Sequence, residues 1–103
     1  MPLTTKQNQH LRGLAHHIKP VIIIGNAGLT DAVLEEVKLA ITHHELIKVK
    51  INAGEREERQ EIINNITTEC GCHHVQSVGR VGVFYRENKE RDREKKISLP
   101  KAR

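Results

Sequence analysis

The chain has 103 residues and a mass of 11.7 kDa, enough for one ordinary domain and too little for two independent hydrophobic cores. Charged residues make up 29% of it and aromatic residues 2%, which predicts a globular domain with an aliphatic core rather than a disordered chain. The longest apolar run, residues 21–24, is far shorter than the roughly 20 residues that cross a bilayer. Residues 1–10 lack the apolar stretch of a secretory signal, so we expect a cytoplasmic protein.

The positive charge is concentrated at the C-terminal end of the chain. The net charge is +4, yet residues 1–85 contain nine Lys/Arg and nine Asp/Glu, whereas residues 86–103 contain eight and four. This asymmetry favours a polyanionic partner, although a tail that serves only solubility is the alternative. We divide the chain into a domain of residues 1–86 and a basic tail of residues 87–103, which is predicted to be extended or partly helical.

The first third of the chain predicts a helix followed by a strand. Thr4 or Thr5 caps the helix, whose apolar side chains recur at the spacing of one buried stripe, and Pro20 prevents its continuation. Residues 21–24 form a continuous β-branched run, which predicts a strand that is buried on both faces or central in a sheet. Residues 25–28 then form a turn.

The middle third predicts a second helix and a half-exposed strand. The helix begins at Thr30 and ends near residues 43–44. In residues 46–51 the two lysines, Lys48 and Lys50, alternate with aliphatic side chains. One face of this strand is therefore expected to be apolar, and the other carries both lysines.

The last third predicts one helix and two paired strands. The helix covers residues 55–70 and ends at a C-cap glycine, Gly71. Residues 75–78 and 83–86 flank residues 79–82, which have the length and composition of a hairpin connection. The order α-β-α-β-α-β-β predicts an α/β fold, a two-layer sandwich in which helices pack on a mixed sheet.

The turn after the first strand is the sharpest functional signal. Gly25-Asn26-Ala27-Gly28 leads from a strand into a helix N-terminus, where unpaired N–H groups and the helix dipole attract an anionic oxygen such as that of a phosphate. The segment is neither a Walker A loop nor a full dinucleotide fingerprint, so no nucleotide cofactor is expected. A purely structural tight turn is the alternative interpretation.

Four ordered blocks of the sequence resemble one known family. The blocks are Leu3–Gln7 with Leu11–His16, Gly25–Thr30, His43–Lys50, and Val78–Gly79 with Val83–Arg86. Together they resemble a CRM domain (chloroplast RNA splicing and ribosome maturation) in its stand-alone bacterial YhbY-like form. The resemblance covers nearly the whole chain. It implies a mixed four-stranded sheet with helices packed on it, similar to the C-terminal domain of translation initiation factor three.

The resemblance also implies a function. Members of the family bind RNA, the bacterial form is associated with precursors of the large ribosomal subunit, and the family's Gly-x-x-Gly loop, likened to that of KH domains, maps onto Gly25 to Gly28. We therefore predict a non-enzymatic protein that binds large-subunit ribosomal RNA in pre-ribosomal particles and assists ribosome assembly, without a cofactor or a small-molecule substrate. The predicted RNA-binding residues are Gly25, Asn26, Ala27, Gly28, Lys6, Arg12, Lys48, Lys50, Arg80 and Arg86.

The scarcity of aromatic residues favours recognition of RNA by backbone and shape rather than by base stacking. Two other functions stay open. One is a protein-interaction adaptor that joins assembly particles through its sheet face with little RNA affinity of its own. The other is a small hydrolase that uses a His and Glu pair. The sequence does not place a nucleophile, a base and an orienting group together at an informative spacing for this function. Cys70 and Cys72 have no distant second ligand pair, so no metal site is expected.

Overall fold

The structure is a computed structural model that describes residues 2–92 and 94–100, and within them it contains three helices and four strands. In chain order these elements are α1 (Thr5–Ala15), β1 (Pro20–Ile24), α2 (Asp31–His44), β2 (Leu46–Ile51), α3 (Arg56–Cys70), β3 (His73–Val78) and β4 (Val81–Tyr85). The predicted α/β class and element order are confirmed. Among the described residues, no helix has the length and apolar character needed to cross a bilayer.

The helices begin and end at the residues that carry the capping signals. At α1 the Thr4 hydroxyl accepts the N–H of Gln7, and the Gln7 side chain accepts the N–H of Thr4, which completes a capping box. At α2 the Thr30 hydroxyl accepts the N–H of Val33. Gly71 ends α3 in the left-handed conformation, with a φ of 59°. These local signals therefore fix the starts of α1 and α2 and the end of α3, whereas α1 ends at Ala15, before the predicted stop at Pro20.

The four strands form one mixed sheet in the order β1-β2-β4-β3. β1 pairs in parallel with β2, which requires the crossover that α2 provides, while β4 pairs antiparallel with both β2 and β3. The β3–β4 turn has only two residues, Gly79 and Arg80, because Val78 pairs directly with Val81. Gly79 permits this tight turn with a φ of 57°, so the predicted four-residue connection is wrong.

Helices cover both faces of the sheet. α2 and α3 pack on one face, over a core that includes Ile47 and Phe84. α1 packs on the opposite face, against Leu46 and Tyr85 among others. Because α1 has only 11 residues, it adds a partial third layer to the predicted two-layer sandwich and leaves part of its face of the sheet open.

β1 is an edge strand, and the prediction that it is central or buried on both faces is wrong. Ile22 and Ile24 are buried in the core beneath α2 and α3. Val21 and Ile23 are 50% and 63% exposed on the other face. The physical reason is that α1 packs mainly against β2, β3 and β4 and leaves Val21 and Ile23 uncovered. A run of β-branched residues shows that a strand forms, but it does not show which of its faces a helix covers.

The segment after β4 lies against the domain. Ile97 and Leu99 pack into the second core cluster, beside α1. In the described part of this segment the chain forms turns and no regular helix or strand. The division of the chain at residue 86 stays a prediction, and residue 93 and residues 101–103 of the proposed tail lie outside the described residues.

One buried acid, Glu45, connects this segment to the domain. Its carboxylate is fully buried between α2 and β2. Oε2 accepts the backbone N–H of Asn88 at 2.8 Å, and Oε1 accepts the backbone N–H of Ile97 at 2.8 Å. Oε1 also accepts Nη1 of Arg91 at 3.3 Å. Glu45 therefore holds the chain after β4 to the domain at residues 88, 91 and 97.

Candidate nucleic-acid interface

The glycine loop between β1 and α2 is a tight, exposed turn. The N–H of Gly28 donates to the carbonyl of Gly25 at 2.9 Å, and residues 25–27 are exposed. Gly28 has a φ of 74°, and a Cβ placed on it would meet no atom within 4 Å. Glycine is therefore favoured at residue 28 by backbone conformation and not by lack of space.

The N-terminus of α2 already has two groups of its own that suit a helix start. The Thr30 hydroxyl accepts the N–H of Val33, and Asp31 places a carboxylate in the first turn, where it complements the helix dipole. The helix end alone is therefore a weaker anion site than the sequence suggested. Further attraction for an anion would have to come from the loop and the cations around it.

Three segments meet at the end of the sheet that carries the loop. The N–H of Asn52 donates to the carbonyl of Ile24, the last residue of β1, at 2.8 Å. The N–H of Ile51 donates to the carbonyl of Arg80, in the β3–β4 turn, at 2.7 Å. The end of β2 is therefore held between the glycine loop and the hairpin, and the exposed Arg80 lies at the same end of the sheet as the loop.

Lys48 and Lys50 project from the face of β2 opposite the α2–α3 core, as the alternating pattern predicted. Lys50 is exposed and lies between Ile23 of β1 and Val81 of β4. Its partner Ile23 is two residues before Gly25, so Lys50 is close to the start of the loop. Neither lysine has an ion-pair partner among the described residues. Both ammonium groups are thus available to an external anion.

The two cations of α1 lie toward different ends of the helix. Arg12 is four residues before His16, which lines a groove together with Lys48, so Arg12 shares the flank of α1 that faces the lysines. Lys6 lies in the first turn, about 9 Å further back along the helix axis and toward the Tyr85 end of the sheet. The structure therefore brings Arg12 toward the loop end and does not bring Lys6 there.

Arg86 lies at the end of the sheet opposite the loop. Its Nη1 donates to the carbonyl of Cys70 at 2.8 Å, and its Nη2 donates to the hydroxyl of Thr42. These contacts connect the C-terminal ends of α2 and α3. The partners are 16 and 44 residues away in sequence, so no local pattern shows them, and the structure does not bring Arg86 together with the other predicted residues.

Two further cations near the loop end were missed by sequence reasoning. Arg56 and Arg59, at the start of α3, line a shallow groove that also includes Gly79 of the hairpin turn. Arg59 Nη1 donates to the carbonyl of Gly54 at 3.2 Å, whereas Arg56 is exposed. Sequence reasoning did not identify this pair, because the neighbouring glutamates give the segment the mixed charge of an ordinary helix N-terminus. Only the approach of α3 to the hairpin shows their position.

Neither of the two aromatic residues is available to stack on a base. Phe84 is fully buried and Tyr85 is nearly so. Burial, reinforced by the carboxylates of Glu45 and Glu87, raises the pKa of Tyr85 to about 12. Single-strand readers place exposed aromatic rings on their binding surface. A stacking platform of exposed Phe or Tyr is therefore absent among the described residues.

The candidate surface has no metal centre among the described residues, since no group of three or more His, Cys, Asp or Glu side chains converges there. Cys70 and Cys72 are free thiols. Burial raises the pKa of both, that of Cys72 to about 12, so the thiols are protonated and poorly nucleophilic at neutral pH.

Histidines 73 and 74 of β3 predict a loss of stability in mild acid. Burial lowers the pKa of both imidazoles below the ordinary value of 6.5, so the unfolded chain takes up protons first as the pH falls. Their contribution to stability is therefore complete above about pH 6.5 and is lost as the pH falls toward their folded pKa values. We expect a variant with His73→Gln and His74→Gln to lose less stability between about pH 7 and pH 5 than the parent, measured by urea unfolding. His10→Gln, at an exposed position of α1, is the control, and an unchanged profile in the double variant would contradict the assignment.

Similarity to known proteins indicates the family of the chain, and this evidence does not depend on the geometry of the site. The sequence model of the CRS1 / YhbY (CRM) domain matches residues 3–86. The chain is 48% identical over 99 residues to a Haemophilus influenzae protein named "RNA-binding protein", with 96% of each chain covered. It is 33% identical over 98 residues to a Bacillus subtilis protein named "Probable RNA-binding protein YqeI", which covers 95% of this chain and 99% of that one.

A solved structure has the same fold. The solution structure of the hypothetical protein SAV1595 from Staphylococcus aureus, described as a candidate RNA-binding protein, matches with a TM-score of 0.80 and 33% sequence identity. The match covers 96% of this chain and 100% of the other. The similarity therefore extends over the complete domain and not only over the glycine loop.

Proposed function

The chain belongs to the CRS1 / YhbY (CRM) domain family, and on that basis we propose that it is an RNA-binding protein. The proposed contact surface consists of the loop Gly25–Gly28 together with Lys48, Lys50 and Arg80, and we refer to it as the loop–lysine surface. The proposed target is the ribosomal RNA of the large-subunit precursor, and the proposed role is to assist ribosome assembly in the cytoplasm. The observation that carries the proposal is that the glycine loop, the hairpin turn with Arg80 and the exposed Lys50 lie at one end of the sheet. Lys48 lies on the same strand face, opposite Pro20 at the start of β1.

The chemistry of the loop–lysine surface suits a sugar-phosphate chain. The exposed backbone at residues 25–27 permits close approach, and lysines without ion-pair partners among the described residues attract phosphates. Such contacts position an RNA without reading its sequence, so the affinity is expected to depend strongly on salt. Arg12 and Arg56 are placed to add peripheral phosphate contacts.

The proposal is tested by binding across a salt series. Purified protein is titrated onto transcripts of large-subunit ribosomal RNA, with small-subunit ribosomal RNA of equal length as the comparison. We expect tighter binding to the large-subunit transcripts and a linear fall of log affinity with log salt concentration. The alternative function, an adaptor between proteins of the assembly particle, draws on the exposed Val21 and Ile23 and predicts absent or salt-insensitive RNA binding.

Substitution of Gly28 separates charge from backbone conformation within the loop. Asp and Asn both tolerate a positive φ, but only Asp places a negative charge where the phosphate is expected. We expect Gly28→Asp to weaken RNA binding about tenfold or more, whereas Gly28→Asn weakens it only slightly. The measurements are gel-shift titration at fixed salt and thermal unfolding. Parental affinity in a folded Gly28→Asp variant would exclude the loop from the interface.

A further inference from the structure

A groove opens on the uncovered face of the sheet, next to the loop–lysine surface. His16, at the C-terminal end of α1, forms part of one wall, and the sheet forms the floor. The cavity volume is about 230 Å³. Six residues of the four strands line the groove: Pro20, Lys48, Gln76, Val78, Val81 and Val83.

We propose that this groove holds one unpaired nucleobase of the bound RNA, while the adjoining phosphates lie against Lys48 and Lys50. The inference rests on the proposed RNA-binding function and makes it more specific. It adds a contact to a base, on the sheet, to the contacts that the loop–lysine surface makes with the RNA backbone.

The first support is an exposed apolar row that crosses the whole sheet. Ile23, Lys50, Val81 and Val78 are consecutive partners across β1, β2, β4 and β3. Ile23 and Val78 are each 63% exposed, although both are large aliphatic side chains. Val78 and Val81 adjoin each other, and the exposed Lys50 separates them from Ile23. Exposed apolar patches of this kind often mark a binding site. It stays uncovered because α1 ends at Ala15 and packs over the Tyr85 end of the sheet.

The second support is charge. No carboxylate lines the groove among the described residues, whereas Lys48 lies in its floor and Lys50 on the same strand face. A partner that combines flat apolar groups with regularly spaced negative charges complements such a surface. The row begins at Ile23, two residues before Gly25, so one RNA strand can follow the surface from the loop into the groove. This continuity favours RNA over an acidic protein segment.

The third support is size and hydrogen bonding. Pockets for drug-sized ligands measure roughly 300–1,000 Å³, so a groove of about 230 Å³ suits a single planar ring system. The Gln76 side chain offers both donors and an acceptor, as the edge of a base requires. Among the described residues this amide has no side-chain hydrogen-bond partner. In this proposal the base packs against the methyl groups of Val78 and Val81, with the His16 side chain in the wall.

The test uses three RNA hairpins that share one stem. The first carries a single bulged 2-aminopurine, the second an abasic site at the same position, and the third is fully paired. We expect the hairpin with the bulged base to bind about tenfold more tightly than the abasic hairpin. We also expect the methyl NMR signals of Val78 and Val81 to shift with the bulged base and not with the other two hairpins.

Two variants connect the effect to the groove. Val78→Asp places a carboxylate at the groove in an exposed position, and we expect it to abolish the preference for the bulged base. Leu39→Asp is the matched control, because Leu39 is 72% exposed on α2, away from the groove. The control is expected to keep the full preference for the bulged base, and urea unfolding verifies that both variants are folded.

Three results would overturn the inference. Equal affinity for all three hairpins, with NMR shifts at the loop and none at Val78, would exclude the groove as a nucleobase site. The proposed RNA-binding function would remain. No binding of any hairpin at low salt, together with no binding of ribosomal RNA, would exclude both the nucleobase site and the proposed RNA-binding function. Shifts at Val78 on raising the protein concentration alone, or on adding an acidic peptide but not RNA, would assign the face to a second copy or to a protein.

Discussion

Glu45→Ala is expected to release residues 88–97 from the domain and to lower the free energy of unfolding by about 3 kcal/mol. The Glu45 carboxylate is fully buried and accepts two backbone N–H groups and the Arg91 guanidinium. Hydrogen bonds to a charged group contribute about 1.5–3 kcal/mol each, and truncation leaves their donors without an acceptor. Water that reaches the released segment limits the total, so we place the loss at the lower end of the range for a broken buried ion pair.

Glu45→Gln is the matched variant, because it keeps the size of the side chain and removes only the charge. One amide oxygen can still accept from Ile97, but the amide N–H groups then face the N–H of Asn88. We expect this variant to lose roughly half as much stability as Glu45→Ala. Glu87→Gln is the control, because Glu87 pairs with Lys96 at an exposed position where an ion pair contributes under about 1 kcal/mol.

Urea unfolding measures the stability of these variants, and hydrogen exchange at the amides of Asn88 and Ile97 measures release of the segment. Release also uncovers the apolar surface beside α1 that Ile97 and Leu99 cover, so the effect is expected to extend beyond the segment itself. Slow exchange at both amides in a Glu45→Ala variant of parental stability would show that the packing of Ile97 and Leu99, and not the carboxylate, holds the segment.

The elements of this fold were predictable where the determining signal is local. Thr30 and Gly71 fix helix ends through their own hydroxyl hydrogen bond and their own backbone conformation. The strict alternation around Lys48 and Lys50 placed both lysines on one strand face, and the structure confirms that placement. Contacts between residues three or four apart, and the two-residue side-chain period of a strand, can be recognised directly from the sequence.

The features that escaped prediction depend on residues far apart in the chain. In the sequence, Glu45 occupies a position typical of a helix end. Its buried role depends on hydrogen bonds from the backbone N–H groups of Asn88 and Ile97, which are distant in the chain. The exposure of Ile23 depends on the length and direction of α1, which its own composition does not contain. The same direction decides that Arg12, one turn before His16, lies nearer to the groove than Lys6 does.

Reversing the charge of Lys48 and Lys50 together is expected to give the largest loss of RNA affinity among the variants considered. The double variant Lys48→Glu, Lys50→Glu removes the two proposed phosphate contacts and introduces repulsion on the strand face that leads to the loop. We expect affinity for large-subunit ribosomal RNA to fall about 100-fold at ~0.1 M salt, and the slope of log affinity against log salt to become shallower by about 2. Gel-shift titration across a salt series measures both quantities.

The matched control is Lys89→Glu with Lys95→Glu, which changes the net charge from +4 to 0 as the test variant does. The control lysines lie in the segment after β4, and Lys95 lines a shallow groove beside Leu39 of α2. Lys95 lies beside Thr42 and His43, near the C-terminal end of α2, and this 14-residue helix separates that end from the loop by about 20 Å. Charges are screened over about 10 Å at ~0.1 M salt, so Lys95 contributes little to a phosphate at the loop. We therefore expect the control to lose less than about fivefold in affinity at that salt. Equal losses of RNA affinity in the two variants would show that binding depends on total charge and not on where the lysines lie. The loop–lysine surface would then be excluded as the specific contact surface.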